Sequence, residues 1–116
     1  MLNKVILIGR LVKDPDLRST ESGKRVVSFM LAVERDYKTD GKRDTDFLTV
    51  VAWESAAEFV YKWFAKGMLM IVEGRLHTRK WADRDGVNRT SVEVVADTVK
   101  FGESKKARGG IKENQS

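Results

Sequence analysis

Residues 46–74, DFLTVVAWESAAEFVYKWFAKGMLMIVEG, change period twice. From Asp46 to Trp53 the side chains alternate. Phe47, Thr49, Val51 and Trp53 fall on one face of a strand, and Leu48, Val50 and Ala52 fall on the other. The period then lengthens, because Phe59, Val60, Trp63 and Phe64 stand at i, i+1, i+4 and i+5, the apolar stripe of a helix. Ser55-Ala56-Ala57-Glu58 has the spacing of a capping box, in which a serine hydroxyl and a glutamate carboxylate satisfy free amides at a helix start. Lys66 suits the negative end of the helix dipole, and Gly67 predicts a left-handed C-cap. From about Met68 to Trp81 the chain is extended again, with Gly74 predicting a bulge or bend.

Outward from this unit the chain is strand and turn. A run over about Asn3–Val12 is dense in β-branched residues, and KDPDLRSTESGK after it supplies turn chemistry around Pro15 and Gly23. The second run, Val26–Arg35, alternates, with Val27, Phe29, Leu31 and Val33 on one face and Ser28, Ala32 and Glu34 on the other. DYKTDGKRDT reads as a long charged hairpin loop centred on Asp40-Gly41. Asp85-Gly86 is a second hairpin signal and leads into a fifth run, about Asn88–Val99. The fold class is therefore all-β. Three strands, a helix and two strands in this order match a five-stranded Greek-key barrel of the OB type, with its helix between strands 3 and 4. A plain β-meander or a two-layer α+β sheet satisfies the same order. The barrel domain is expected over 1–101. Residues 102–116, GESKKARGGIKENQS, are polar, basic and without hydrophobic period, as in a disordered tail.

Composition narrows the chemistry. The 116 residues suffice for one small domain with a single core. With no cysteine there is no disulfide or thiolate metal site, and one histidine, His77, does not make a zinc site. No cofactor is expected. The first apolar run, VILIG, is stopped by Arg10, too early to span a membrane. A soluble, cytoplasmic protein is expected. The net charge of +5 permits a nucleic-acid partner without requiring one.

The arrangement of rings and cations is more specific. Phe47 and Trp53 share a face at a separation of roughly 20 Å along the strand. In RLHTRKWADRDGVNR, residues 75–89, Arg75, His77, Arg79 and Trp81 share parity, and a large apolar ring stands among charges near a hairpin end. Unpaired bases stack on such rings while Lys and Arg track the phosphates; a duplex hides its base faces. Other readings exist for each residue. Trp53 would serve equally to cover a barrel end, and Phe47 to meet a neighbouring strand or subunit. Tyr37, at the base of the charged loop, reads as an exposed ring. Trp63, Phe29, Phe59 and Phe64 read as core, and Lys24, Lys42, Arg43 and Arg89 as solvated surface.

NKVILIGRLVKDPDLR, VVAW before the helix, AKGMLMIVEGRLHTRKW after it, and the last strand together resemble the bacterial single-stranded DNA-binding protein family over residues 1 to about 100. The resemblance implies an OB-fold, a homotetramer, and wrapping of single-stranded DNA with little sequence preference during replication, recombination and repair. Carried over by position, the stacking aromatics are Tyr37, Phe47, Trp53 and Trp81. Many members carry tryptophan where this chain has Tyr37 and Phe47, so stacking there is expected to be weaker. The phosphate-contacting positions are Lys4, Arg18, Lys66, Arg79 and Lys80. Arg10 and Arg75 join them on the strength of their neighbours. Cellular members close in an acidic tip that recruits other proteins, whereas this sequence ends in IKENQS. Either the chain is truncated, or it is a short or phage-like member (a phage, plasmid or secondary copy) that does not recruit partners in this way; action beside the nucleoid or in a host cytoplasm is expected.

Three other classes fit some of the same features. One is a primosome or recombination accessory on the same fold, with RNA or a protein as main partner. A second is a metal-dependent nuclease using Asp14, Asp16, Asp83 and Asp85. These carboxylates flank a proline turn and a hairpin, where Asp is common in any case, and no enzyme is expected. The third is a structural oligomerisation module, since Val5, Ile6, Leu7 and Ile8 make the first strand apolar on both faces.

Overall fold

The computed structural model describes residues 1–104. Its elements are β1 (Val5–Leu11), β2 (Asp16–Ser19), β3 (Arg25–Thr39), β4 (Lys42–Trp53), α1 (Glu54–Trp63), β5 (Leu69–Ala82) and β6 (Asn88–Phe101). Five long strands lie in the order β1-β5-β6-β4-β3, and β3 pairs back onto β1 through Arg10↔Ala32 and Leu11↔Leu31. The sheet therefore closes into a barrel with its one helix between the third and fourth long strands, the expected OB architecture. Closure depends on Gly9, where a Cβ would lie 2.6 Å from the Ala32 carbonyl oxygen. Only a residue without a side chain lets β1 and β3 approach this closely.

The inward set follows the alternation in the sequence: Val27, Phe29 and Leu31 from β3, Val50 and Ala52 from β4, Met70 and Val72 from β5, and Val94 and Ala96 from β6. Each fully buried aliphatic chain in this set contributes about 1.5–3 kcal/mol. Among the described residues no polar or charged side chain is buried. Ala57 and Val60 of the helix, and Phe64 at its C-cap, join the barrel core. The Phe64 ring stacks on Phe101 at 4.8 Å and meets Phe59 edge-on at 5.9 Å. No helix of the described residues is long and apolar enough to cross a membrane.

Several local expectations are corrected. The segment read as turn contains a short strand, β2, which pairs with β3 from Asp16↔Ser28 to Ser19↔Arg25. Leu17 alone turns inward there, so a period-2 pattern had too few residues in which to show itself. The charged loop is strand almost to its tip, and β3 and β4 pair through Lys38↔Arg43 and Thr39↔Lys42. The connection is two residues, Asp40 and Gly41, with φ of 52° and 80°. Ladder hydrogen bonds are made by the backbone, so a hairpin beyond the core persists without apolar side chains. A bulge between Glu34 and Lys38 interrupts this ladder, and Arg43 donates to the freed Arg35 and Asp36 carbonyls at 2.9 and 2.7 Å.

The helix caps also differ. Trp53 occupies the N-cap with no side-chain cap bond, and Glu54 has a positive φ of 52°. The chain turns from β4 into α1 in one residue, which puts Ser55 inside the helix rather than at its cap. Glu54 Oε1 instead accepts from the Arg25 amide at 3.0 Å, and Glu58 pairs with the Arg25 guanidinium. The helix ends at Trp63, so Lys62 is the cation of its last turn. Gly67 is left-handed as predicted, at φ 87°, but in the turn beyond the C-cap, where its amide donates to the Leu11 carbonyl at 2.8 Å. Gly74 does mark a bulge. The extra residue is on β6, at Asp97, since Glu73 pairs with Thr98 and Gly74 with Ala96. Gly102 and Glu103, assigned by the sequence to the tail, are tied to the barrel: the Leu69 carbonyl accepts from the Gly102 amide, and Glu103 Oε1 accepts from the Leu69 amide, both at 3.0 Å. The rest of the predicted tail, from residue 105, lies outside the described residues.

Candidate nucleic-acid interface

The strand registers arrange the outward side chains into rows across the barrel. In one row Arg18 on β2 stands opposite Val26 on β3, which stands opposite Trp53 on β4. The next runs Asp16, Ser28, Val51, Val95 and Arg75, crossing from β2 to β5. Met30 pairs with Thr49, and the last row runs Arg10, Ala32, Phe47. One continuous outer face thus carries one ring near the middle of β4, Phe47, and one at its C-terminal end, Trp53, each with an arginine in its own row.

Trp81 extends this face. β4 and β6 are parallel at Val51↔Val95, so the Phe47 end of β4 points toward the part of β6 that holds Glu93, Ser91 and Arg89. Across from those residues lie His77, Arg79 and Trp81. The three rings are open to solvent, with Phe47 59%, Trp53 40% and Trp81 43% exposed. None is core, although large apolar rings are normally withdrawn from water. Trp81 is oriented by a hydrogen bond from its Nε1–H to Ser91 Oγ, 2.8 Å.

The cations on this face are held by carboxylates. Arg18 Nε lies 3.1 Å from Asp16, Arg75 lies 2.5 Å from Asp97, and Arg79 lies 3.8 Å from Glu93. Arg10 bonds the Gly67 carbonyl at 3.0 Å and Glu103 at 3.1 Å. Pairs whose guanidiniums are this exposed are worth about 0–1 kcal/mol each, so a competing anion would displace the carboxylate at little cost. They keep the guanidiniums on the face without using up their charge.

Four predicted residues do not join the face. Tyr37 lies within the bulge in β3, between Glu34 and Lys38. Its hydroxyl accepts from Arg35 at 3.2 Å, and it lines a groove with Ile6, Ile8 and Val33. Arg35 is locked there by Asp46 at 2.9 Å; the same contact, chiefly a side-chain hydrogen bond, lowers the Asp46 carboxyl below its usual range. Lys4 sits beside Glu73 at 3.4 Å, on the β1–β5 flank. Lys66 stands in the turn after α1, where its amide donates to Asp14 Oδ1 at 2.8 Å. Lys80 has the opposite parity to Trp81 on β5 and so projects from the other side of the hairpin.

Three residues of the face were missed or set aside in the sequence. Met30, 39% exposed between the Phe47 and Trp53 rows, shares parity with Ser28 and was legible by alternation. Arg89, read as solvated surface, stands directly across from Trp81 and is paired with Asp83 at 3.0 Å. Ser91 has no signal of its own in the sequence, because its place depends on the hairpin register. That register is set at the turn, where Asp83 Oδ1 accepts from the Asp85 and Val87 amides at 2.9 Å. These bonds, with the one from Arg89, hold the Asp83 carboxyl below the ordinary range, the Val87 amide being the largest cause.

The family model described as the single-strand binding protein family matches residues 2–102. A single-stranded DNA-binding protein of Clostridium tetani is 47% identical over 101 residues, covering 86% of this chain and 70% of that protein. Single-stranded DNA-binding protein 1 of Staphylococcus aureus is 45% identical over 106 residues, covering 90% and 68%. A single-stranded DNA-binding protein of Oceanobacillus iheyensis is 43% identical over 111 residues, covering 95% and 69%. With a closed barrel of the expected order and matches spanning most of its length, this chain belongs to the single-strand binding protein family.

Proposed function

We propose that this protein binds and protects single-stranded DNA, largely independently of sequence, in replication, recombination and repair. The observation that carries the reading is the set of three solvent-exposed rings, Phe47, Trp53 and Trp81, on one outer face with arginines in register beside them. Bases unstacked from one another place their π-faces on the rings, each worth about 1–3 kcal/mol. Arg10, Arg18, Arg75 and Arg79 exchange their carboxylate partners for phosphates and release counterions, so affinity falls steeply with salt. Lys4, Lys66, Lys80 and Tyr37 reach DNA only where the strand leaves this face and wraps the flanks.

No catalytic step is proposed. Of the carboxylates that a nuclease metal would need, Asp14 holds the Lys66 amide, Asp16 pairs with Arg18, and Asp83 organises its hairpin turn. Assembly as a homotetramer is part of the reading. Ile6 and Ile8, 64% and 54% exposed, form an apolar outer face on β1, with Ile71 directly across from Ile8. Cytoplasmic action beside the nucleoid follows from the ligand.

The test is a titration of intrinsic tryptophan fluorescence with oligo-dT, a duplex of equal length and an RNA of the same sequence, at several salt concentrations. Strong quenching by the single DNA strand, a weak response to duplex and a steep salt slope are expected. Equal responses to duplex and single strand would sink the proposal. Preference for RNA would move it to the accessory-protein reading. Light scattering that finds a monomer at micromolar concentration would remove the tetramer.

A further inference from the structure

We infer that Ser91 is a positioning residue for base stacking: its hydroxyl fixes the plane of the Trp81 indole so that the ring meets DNA already oriented. The inference deepens the proposed function and rests on it.

Trp81 is nearly half exposed and is not part of the core cluster. Its neighbours on the same face are Arg79 along β5 and Arg89 across on β6, both long, solvated chains that give a ring no fixed support. An unsupported indole samples several rotamers, and binding a base would then cost the entropy of choosing one. The hydrogen bond from Nε1–H to Ser91 Oγ at 2.8 Å removes that freedom in advance. Its direction matters as much as its length. Trp81 pairs with Arg89 while Ser91 pairs with Arg79, so the acceptor lies one step back along the ladder toward the barrel. The indole is therefore drawn back over the Arg79–Ser91 pair rather than left to swing from the hairpin end. One edge is anchored, which leaves the ring a fixed plane for a base, and Arg79, two positions back on the same face of β5, is available for the adjoining phosphate.

A positioning role differs from a direct DNA contact in how it couples to Trp81. The experiment measures binding of fluorescently labelled oligo-dT by anisotropy across a salt series for wild type, Ser91→Ala, Ser91→Thr, Trp81→Phe, Trp81→Ala and the double variants. Ser91→Ala is expected to weaken binding about three- to ten-fold, the scale of one lost exposed hydrogen bond, with the salt slope unchanged. Ser91→Thr keeps the hydroxyl and restores binding. Trp81→Phe keeps a ring but loses the donor, and in that background, as in Trp81→Ala, Ser91→Ala has no further effect. Wild-type affinity in Ser91→Ala overturns the inference. So does an undiminished loss in the Trp81→Ala background, or a shallower salt slope, either of which makes Ser91 a contact in its own right. If wild type itself does not prefer single-stranded DNA, the parent reading has failed instead, and the two failures are distinct.

Discussion

The β5–β6 hairpin is one ladder with two halves. On the barrel side of the bulge at Gly74, β5 alternates between buried and half-buried residues; beyond it, every residue from Arg75 to Ala82 is exposed. The first half is held by what its side chains bury, as with Met70 and Val72. The second is held by backbone pairing and by polar clamps. Asn3 bonds both the amide and the carbonyl of Leu76 at 2.9 Å, and Asp83 gathers two amides at the turn. Register is thus held from the core at one end and from the turn at the other, across a region whose side chains are released from packing. That freedom leaves Trp81, Arg79 and Ser91 available for the DNA-binding roles proposed for them.

The largest break falls on the barrel half. Phe64→Ala removes a fully buried ring stacked on Phe101 and is expected to cost about 3–5 kcal/mol in thermal or denaturant unfolding. A loss under 1 kcal/mol would mean that the helix-side packing is not the core it resembles. Next is the junction. In Gly74→Val a Cβ would stand 2.1 Å from the Val95 carbonyl oxygen, so the strands must part there, at a cost of roughly 1–3 kcal/mol. Its amide-exchange pattern is expected to lose protection from Gly74 outward while Met70 and Val72 keep theirs; uniform loss would make the hairpin one unit.

On the projecting half the effects move from stability to binding. Trp81→Ala is expected to leave unfolding within about 0.5 kcal/mol of wild type yet to weaken oligo-dT binding by about 1–3 kcal/mol. Arg79→Ala is its complement and is expected to lower the salt slope by about 1 at a smaller cost in affinity. If both variants changed the slope alike, ring and guanidinium would not have separate tasks. The smallest effect concerns pH. The Asp83 carboxyl titrates below its unfolded value, so its contribution is complete above the usual carboxylate range near 4 and is lost as pH falls through the lowered folded value. Acid is therefore expected to release the Val87 amide, followed by NMR exchange, before any core amide. Simultaneous release would contradict this order.

Alternation and helical period made the barrel strands, the helix and the inward set legible, because both patterns are imposed locally by how side chains leave the backbone. Phe47, Trp53 and Trp81 were legible for a related reason: apolar rings at outward positions among cations break the rule that the core imposes. The helix caps were misread because the same Ser55 and Glu58 suit either a capping box or an inner turn. The choice fell to Arg25, thirty or so positions earlier in the chain. β2 and the outer β3–β4 ladder were missed because backbone pairing leaves no trace in hydrophobicity.

What the sequence determined by itself was which residues face in, which face out, and where the chain changes element. Only the tertiary structure decided which outward residues meet. Cross-strand register aligned Arg18 with Trp53 and Arg10 with Phe47, turned Tyr37 toward the Ile6–Ile8 groove, and set Ser91 under the edge of Trp81. The physical reason is that a strand's own periodicity acts over two residues, whereas register is fixed by turns, bulges and barrel closure acting between segments far apart in the chain.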